Sequence, residues 1–300
     1  MNRWIRLLIV LALAPSGSAA RSQNPAAPPQ SVAQVFASRA EIEEFLLKGR
    51  IVKAKGTGLG ITNPLKLTLD DGRVQHYAVF KSVDERKPGV TQLSGSTEID
   101  FKDSWMFEVA AYELDKLLGL DMVPVTVERT YRGQRGSLQF WIDNCIMESD
   151  RLKRKLNPPD PTSWKQQIFK VRVFDNLVYN IDRNLGNLLI SPDWKLYMID
   201  HSRTFKNVNS LKSPKDLTYF SRSLMDALQK LDEPTLKARC EKYLSSFEIK
   251  TMLQRRDKIV QLYKRRVAQQ GERDRYRHYK PPEAYARRWP RTALRGLQEH

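Results

Sequence analysis

Cysteine and histidine are scarce in this chain of 300 residues, which carries two cysteines, Cys145 and Cys240, and four scattered histidines. There is no CxxC pair or Cys/His cluster, and this excludes thiolate-based metal sites. One disulfide at most can form. The sequence leaves open whether the two thiols lie within the roughly 4.4–6.8 Å Cα separation that a bridge needs. Glycine and proline, 14 and 16 residues, are too few for a collagen-like or low-complexity chain, so most of the polypeptide folds around a core. Long apolar runs are missing too. The run at residues 7–14 falls short of the ~20 residues that span a bilayer, and no later stretch approaches that length. Acid is in deficit: 34 Asp and Glu face 51 Lys and Arg, a net charge of +17 that favours nucleotides, phosphorylated molecules, acidic proteins or membrane surfaces as partners.

What is present divides into five stretches. Residues 1–20 place Arg3 and Arg6 before the apolar run and a small-residue stretch at 16–20 after it. This order predicts a secretory signal cleaved near Ala19 or Ala20, hence a periplasmic or secreted protein, with an uncleaved anchor as the alternative. Residues 21–36, rich in Pro, Ala, Ser and Gln, read as a flexible linker. Residues 37–150 form a first lobe. Its first helix starts at Ser38, with Glu41 at capping-box spacing. Strands are expected at 49–54, 65–69 and 76–81, with a hairpin turn at Asp71 and Gly72. An amphipathic helix over 104–118 closes at Gly119, and strands follow at 123–129 and 136–144. Residues 151–270 form a second, mainly helical lobe that opens with a linker at 151–161. Its helices are expected at 163–180, near 217–231 and over 235–270, with a short hairpin within 187–200. The tail, 271–300, interleaves bases with Tyr276, Tyr279, Tyr285 and Trp289. It suits an anionic partner, and a solvated or packed tail is the commoner use of such a pattern than nucleic-acid binding.

Six elements carry chemistry. Residues 55–60 (KGTGLG) place Gly56, Gly58 and Gly60 in a turn between strands, where backbone amides without Cβ bulk can approach phosphates. Lys81 ends the third strand, where a cation can reach the α and β phosphates. Glu108 interrupts an apolar helical stretch, and a carboxylate held there needs a partner, for which Lys81 is the natural choice. Asp182 and Asn187 repeat the D-x-x-x-x-N spacing of a kinase catalytic loop, and Asp200 ends the strand that returns beside Asn187. Phosphoryl transfer needs such a set: a carboxylate to take the proton of an attacking hydroxyl, and two oxygen donors to hold a divalent ion on the phosphates. The expected fold is therefore α+β and two-lobed like a protein kinase, with a small antiparallel N-lobe sheet, one key helix and a mainly helical C-lobe.

Residues 78–81 (AVFK), 107–120 (FEVAAYELDKLLGL) with Val123 and Pro124, and 174–183 (FDNLVYNIDR) resemble the secretory-pathway atypical kinases of the Golgi casein kinase type. The loop 182–187 (DRNLGN) with Ile199 and Asp200 is also similar to that of the phosphatidylinositol 3- and 4-kinases. The resemblance spans residues 50–230. It implies a nucleotide-anchoring pair Lys81 and Glu108, Asp182 as catalytic acid/base, Asn187 and Asp200 as metal ligands, ATP as substrate and Mg2+ or Mn2+ as cofactor. His201 and Ser202 stand where typical protein kinases have Phe-Gly, Asn184 replaces a frequent histidine, and the cysteine framework of the animal enzymes is missing. The acceptor hydroxyl, on protein, lipid, sugar or small molecule, is left open. So are a pseudokinase that binds a nucleotide or partner without turnover, and a kinase-fold enzyme moving AMP or another group. Asp175 reads as a helix residue that pairs with Arg183 or Arg172, and Arg183 as a brace of the loop.

Overall fold

The computed structural model describes residues 36–58, 63–93 and 96–270. The leader, nearly all of the linker at 21–36, Gly60 and the basic tail lie outside the described residues. Helix α1 (Arg39–Lys48) starts at the expected cap: Ser38 accepts from the Glu41 amide at 3.2 Å, while the Glu41 carboxylate accepts from Ala37 N, one residue before the cap, at 3.0 Å. Strands β1 (Arg50–Gly56), β2 (Leu65–Asp70) and β3 (Gln75–Lys81) follow. With β6 (Thr126–Tyr131) and β7 (Gln134–Phe140) they form one antiparallel sheet in the order β1-β2-β3-β7-β6. Gly72, at φ +85, turns the β2–β3 hairpin, and the Asp70 and Asp71 side chains accept from the amides of Gly72, Arg73 and Val74. Alternation along β3 buries His76, Ala78 and Phe80 against Leu67, Leu69, Leu138 and Phe140.

Between β3 and the key helix lies a second, separate hairpin, β4 (Asp84–Leu93) and β5 (Ser96–Ser104), absent from the expected elements. Helix α2 (Trp105–Leu118) begins at Ser104, whose side chain accepts from Met106 N, and ends at Gly119 in the left-handed conformation. Among its residues Phe107, Val109, Ala110, Ala111 and Leu114 are buried.

After β7 come β8 (Ile146–Met147), α3 (Glu148–Lys153), α4 (Pro161–Leu177), β9 (Leu188–Ile190), β10 (Leu196–Met198), α5 (Arg222–Lys230), α6 (Glu233–Cys240) and α7 (Ser246–Gln270). Two expectations need correction. The linker at 151–161 begins inside α3, where Arg151 is buried and clasps Glu148 at 2.6 and 2.8 Å, so only residues 154–160 connect. The single helix over 235–270 is two helices. Ser245 starts the second with a capping box, in which Glu248 accepts from Ser245 N at 2.8 Å and Ser245 Oγ from Glu248 N at 3.3 Å. The hairpin within 187–200 is β9–β10, joined by β8 into a three-stranded sheet. Cys145 and Cys240 are free thiols. Among the described residues no helix is long and apolar enough to cross a membrane.

Candidate active site

Lys81 is fixed by the sheet beneath it. It pairs with Ser137 across β3–β7, and Gly136 beside that pair permits the close approach: a Cβ there would lie 2.3 Å from the Lys81 carbonyl and 2.7 Å from the Phe80 ring. The ammonium lies 2.5 Å from Glu108 Oε1 and 2.8 Å from Asp200 Oδ1. One cation thus joins the third strand, the key helix and the end of the return strand. Burial works against the Lys81 charge, but the carboxylates of Glu108 and Asp200 outweigh it and hold its pKa above the ordinary lysine range. Burial likewise works against the Glu108 carboxylate, and the Lys81 charge with the His201 contact holds it below the ordinary range.

The second oxygen of Glu108 accepts from His201 N at 3.1 Å. The His201 ring is fully buried, and its Nε2 lies 3.0 Å from Arg183 Nη2. A guanidinium only donates, so Nε2 accepts and the ring proton sits on Nδ1. Burial lowers the His201 pKa and keeps the ring neutral.

Arg183 braces the loop over residues 182–187. Its guanidinium contacts Asp175 at 3.0 and 3.1 Å and donates to the carbonyls of Asn187 and Ile199, each at 2.8 Å. Ile199 N in turn donates to the Asn187 carbonyl at 3.1 Å, so the loop and the return strand meet just before Asp200. Asp200 itself adopts φ +62, a left-handed conformation unusual for a side chain with a Cβ, and one found at strained functional positions. Asn187 Nδ2 donates to the Asp182 carbonyl at 3.2 Å, which leaves the amide oxygen as its remaining donor atom for a cation. Asn184, the departure from the histidine pattern, shapes the same loop by accepting from Gly186 N and donating to the Asp182 carbonyl. Burial and then the nearby Asp200 charge raise the Asp182 pKa, while Arg203, Lys212 and Arg183 lower it in part.

The glycine turn is the least connected element. Register aligns Gly56 with Leu65 and Leu65 with Phe80, which puts the end of β1 level with the Lys81 end of β3 and one strand removed from it. Gly58 has φ +66, and a Cβ at either glycine would meet nothing within 4 Å. Gly60 lies outside the described residues.

One site residue escaped sequence reasoning. Asp103, near the end of β5, feels the charges of Asp200 and Lys81, and its Oδ1 is buried without a hydrogen-bond partner. Burial, then Asp200, raises its pKa. Nothing in an exposed, charged stretch marked it. The orphaned oxygen, the Asp200 carboxylate and the Asn187 amide oxygen are hard oxygen donors, the type that Mg2+ or Mn2+ takes. Among the described residues no cluster of three His, Cys, Asp or Glu forms a protein-only cage. A cation shared with phosphate oxygens does not require one.

No protein-family model matches the chain, and no curated protein does. Solved structures do. A crystal structure of the Golgi casein kinase superposes with a TM-score of 0.56 and 13% identity, covering 79% of this chain and 76% of that one. A Golgi casein kinase structure with Mn and ADP bound gives 0.53 and 14%, covering 75% of each. The fold is that of an atypical kinase. A Helicobacter pylori proinflammatory kinase, CtkA, aligns at 0.48 with 13% identity, over 75% of this chain and 98% of that one. The expected two-lobed α+β architecture is what the chain adopts.

Proposed function

We propose that the chain is an exported kinase that uses a divalent ion and ATP to transfer the γ-phosphoryl group to a hydroxyl. The observation that carries this reading is the Lys81 ammonium in contact with both Glu108 and Asp200, the pairing that a nucleotide-anchoring lysine makes with its helix and metal-binding partners. In this reading Lys81 turns to the α and β phosphates, and Glu108 keeps it charged and aimed. The backbone of Gly56, Gly58 and Gly60 covers the phosphates. Asn187 and Asp200 hold Mg2+ or Mn2+, which when bound neutralises charge on the phosphate oxygens. Asp182 accepts the acceptor's proton, a role helped by the raised pKa of its carboxyl. A solved structure of the same fold carries Mn and ADP, which supports this pairing of nucleotide and metal. The leader directs export, and the basic tail engages an anionic partner.

Purified chain with Mn2+ or Mg2+ and ATP is expected to release ADP in the presence of an acceptor and not AMP. Asp182→Asn should keep nucleotide binding and lose about 10³-fold in turnover, while Asp200→Asn should lose metal-dependent nucleotide binding. Transfer of AMP, or binding with no turnover in the parent, overturns the γ-phosphoryl reading.

A further inference from the structure

The segment that follows Asp200 is held by the β4–β5 hairpin and by helix α7. Glu98, on β5, accepts hydrogen bonds from Arg203 and Lys206 at once. Both cations also lie over the Phe101 ring, at 5.0 and 5.9 Å from its centre. The hairpin that carries Glu98 and Phe101 is in turn tied to α7, where the fully buried Glu248 takes Lys102 at 2.6 Å and Arg86 at 3.8 Å. From the same helix Arg255, also fully buried, donates to the carbonyls of Lys206 and Val208 at 2.9 and 2.5 Å. Cations are crowded at this point. Burial lowers the Lys206 pKa, Glu98 raises it, and Arg203 and Lys102 lower it again, with a net downward shift.

In kinases whose activation segment is switched, a phosphoryl group added to that segment orders it by pairing with arginines. Between Asp200 and Val208 the two hydroxyl side chains here, Ser202 and Thr204, are both buried, and Thr204 Oγ1 donates to the His201 carbonyl at 2.7 Å. We propose that Glu98 on the β4–β5 hairpin is a positioning residue that replaces an activating phosphate, clamping Arg203 and Lys206 so that the segment behind Asp200 is ordered without modification. The inference rests on the kinase reading of the site and deepens it by assigning its mode of regulation.

The test uses the whole chain. Glu98→Gln leaves Arg203 and Lys206 facing one another without a carboxylate. Amide hydrogen exchange over residues 203–208 should then rise about tenfold, the effect of losing a charge-assisted clamp. kcat should fall about tenfold while KM for ATP stays within about twofold. Glu98→Asp should recover both, and Arg203→Gln should reproduce the faster exchange. Phosphatase treatment of the parent should leave its activity unchanged. Unchanged exchange in Glu98→Gln, failure of Glu98→Asp to recover it, or loss of parent activity on phosphatase treatment each overturns the proposal. The exchange readout needs no turnover. A parent that transfers no phosphate but shows the Glu98-dependent exchange pattern therefore refutes the kinase reading and leaves the clamp standing.

Discussion

Hairpin β2–β3 buries Leu67, Leu69, Ala78 and Phe80 on one face and turns at Asp71 and Gly72, whereas hairpin β4–β5 exposes nearly all of β4 and has Val90 and Ile99 75% and 71% exposed. They follow each other in the chain and both lead to the site, the first through Lys81 and the second through Asp103 and Glu98. Burial fixes the first: a slip of one residue would turn its apolar face to water. Charge fixes the second, through Glu98 with Arg203 and Lys206 and through Lys102 with Glu248. A lysine that must sit within 3 Å of two carboxylates is carried on the rigid element, and the element without a core face of its own orders the segment beside it.

That contrast is tested most severely by removing buried volume under Lys81. Phe80→Ala should cost about 3–5 kcal/mol in chemical denaturation, because its ring is 2% exposed and lies edge-on to Tyr131 with centroids 5.8 Å apart. Activity should fall with it, since the next residue is Lys81. A cost near 1 kcal/mol would mean that β3 is not held by its core face.

Glu108→Gln should cost roughly 2 kcal/mol at neutral pH, less than the loss of a whole buried pair because Lys81 keeps Asp200. The pH dependence follows from the two directions. The folded Glu108 pKa is depressed, so its contribution is complete above the ordinary carboxylate range of about 4.3 and is lost as pH falls through the lower folded value. The folded Lys81 pKa is raised, so its contribution is complete below about 10.4 and is lost only as pH rises through the higher folded value. The stability gap between parent and Glu108→Gln should therefore be flat from about pH 5 to 10 and shrink progressively below about pH 4. A gap that closes already between pH 7 and 6 would show that the pair is not held as the contacts indicate.

Gly136→Ala comes next, at about 1–3 kcal/mol, the cost of forcing a Cβ against the Lys81 carbonyl and the Phe80 ring. Gly136 is also instructive about what a sequence can reveal. It sits in an ordinary strand stretch, and its need appears only when β3 lies against β7, while the glycines that drew notice at 56 and 58 meet nothing nearby. Local signals were legible wherever one residue type had one local use. The Asp71–Gly72 turn, the Ser38 and Gly119 helix ends and the carboxylate at 108 in an apolar helix face are of this kind. So was the hairpin that returns from Asn187 toward Asp200, because its two strands are contiguous in sequence. Long-range charge was not legible. Nothing near residue 98 points to 203 and 206, and the bulge at Pro88 and Gly89 with two wet faces removes the alternation that marks a strand. The break at 241–245 has a local signal too, since Ser245 and Glu248 carry the same capping spacing as Ser38 and Glu41.

The smallest effect is expected at the hairpin's exposed cross-strand pair, and it separates the two modes of construction most cleanly. Val90 and Ile99 face each other in register and keep most of their surface in water, so replacing either with Thr removes little burial. Ile99→Thr should change stability by less than about 0.5 kcal/mol in the same denaturation experiment that costs Phe80→Ala several. It should also leave amide exchange over 203–208 untouched, because Glu98 and not Ile99 holds Arg203 and Lys206. If Ile99→Thr loosens that segment as much as Glu98→Gln does, the hairpin docks through apolar contact after all, and the division between a burial-fixed and a charge-fixed arm fails.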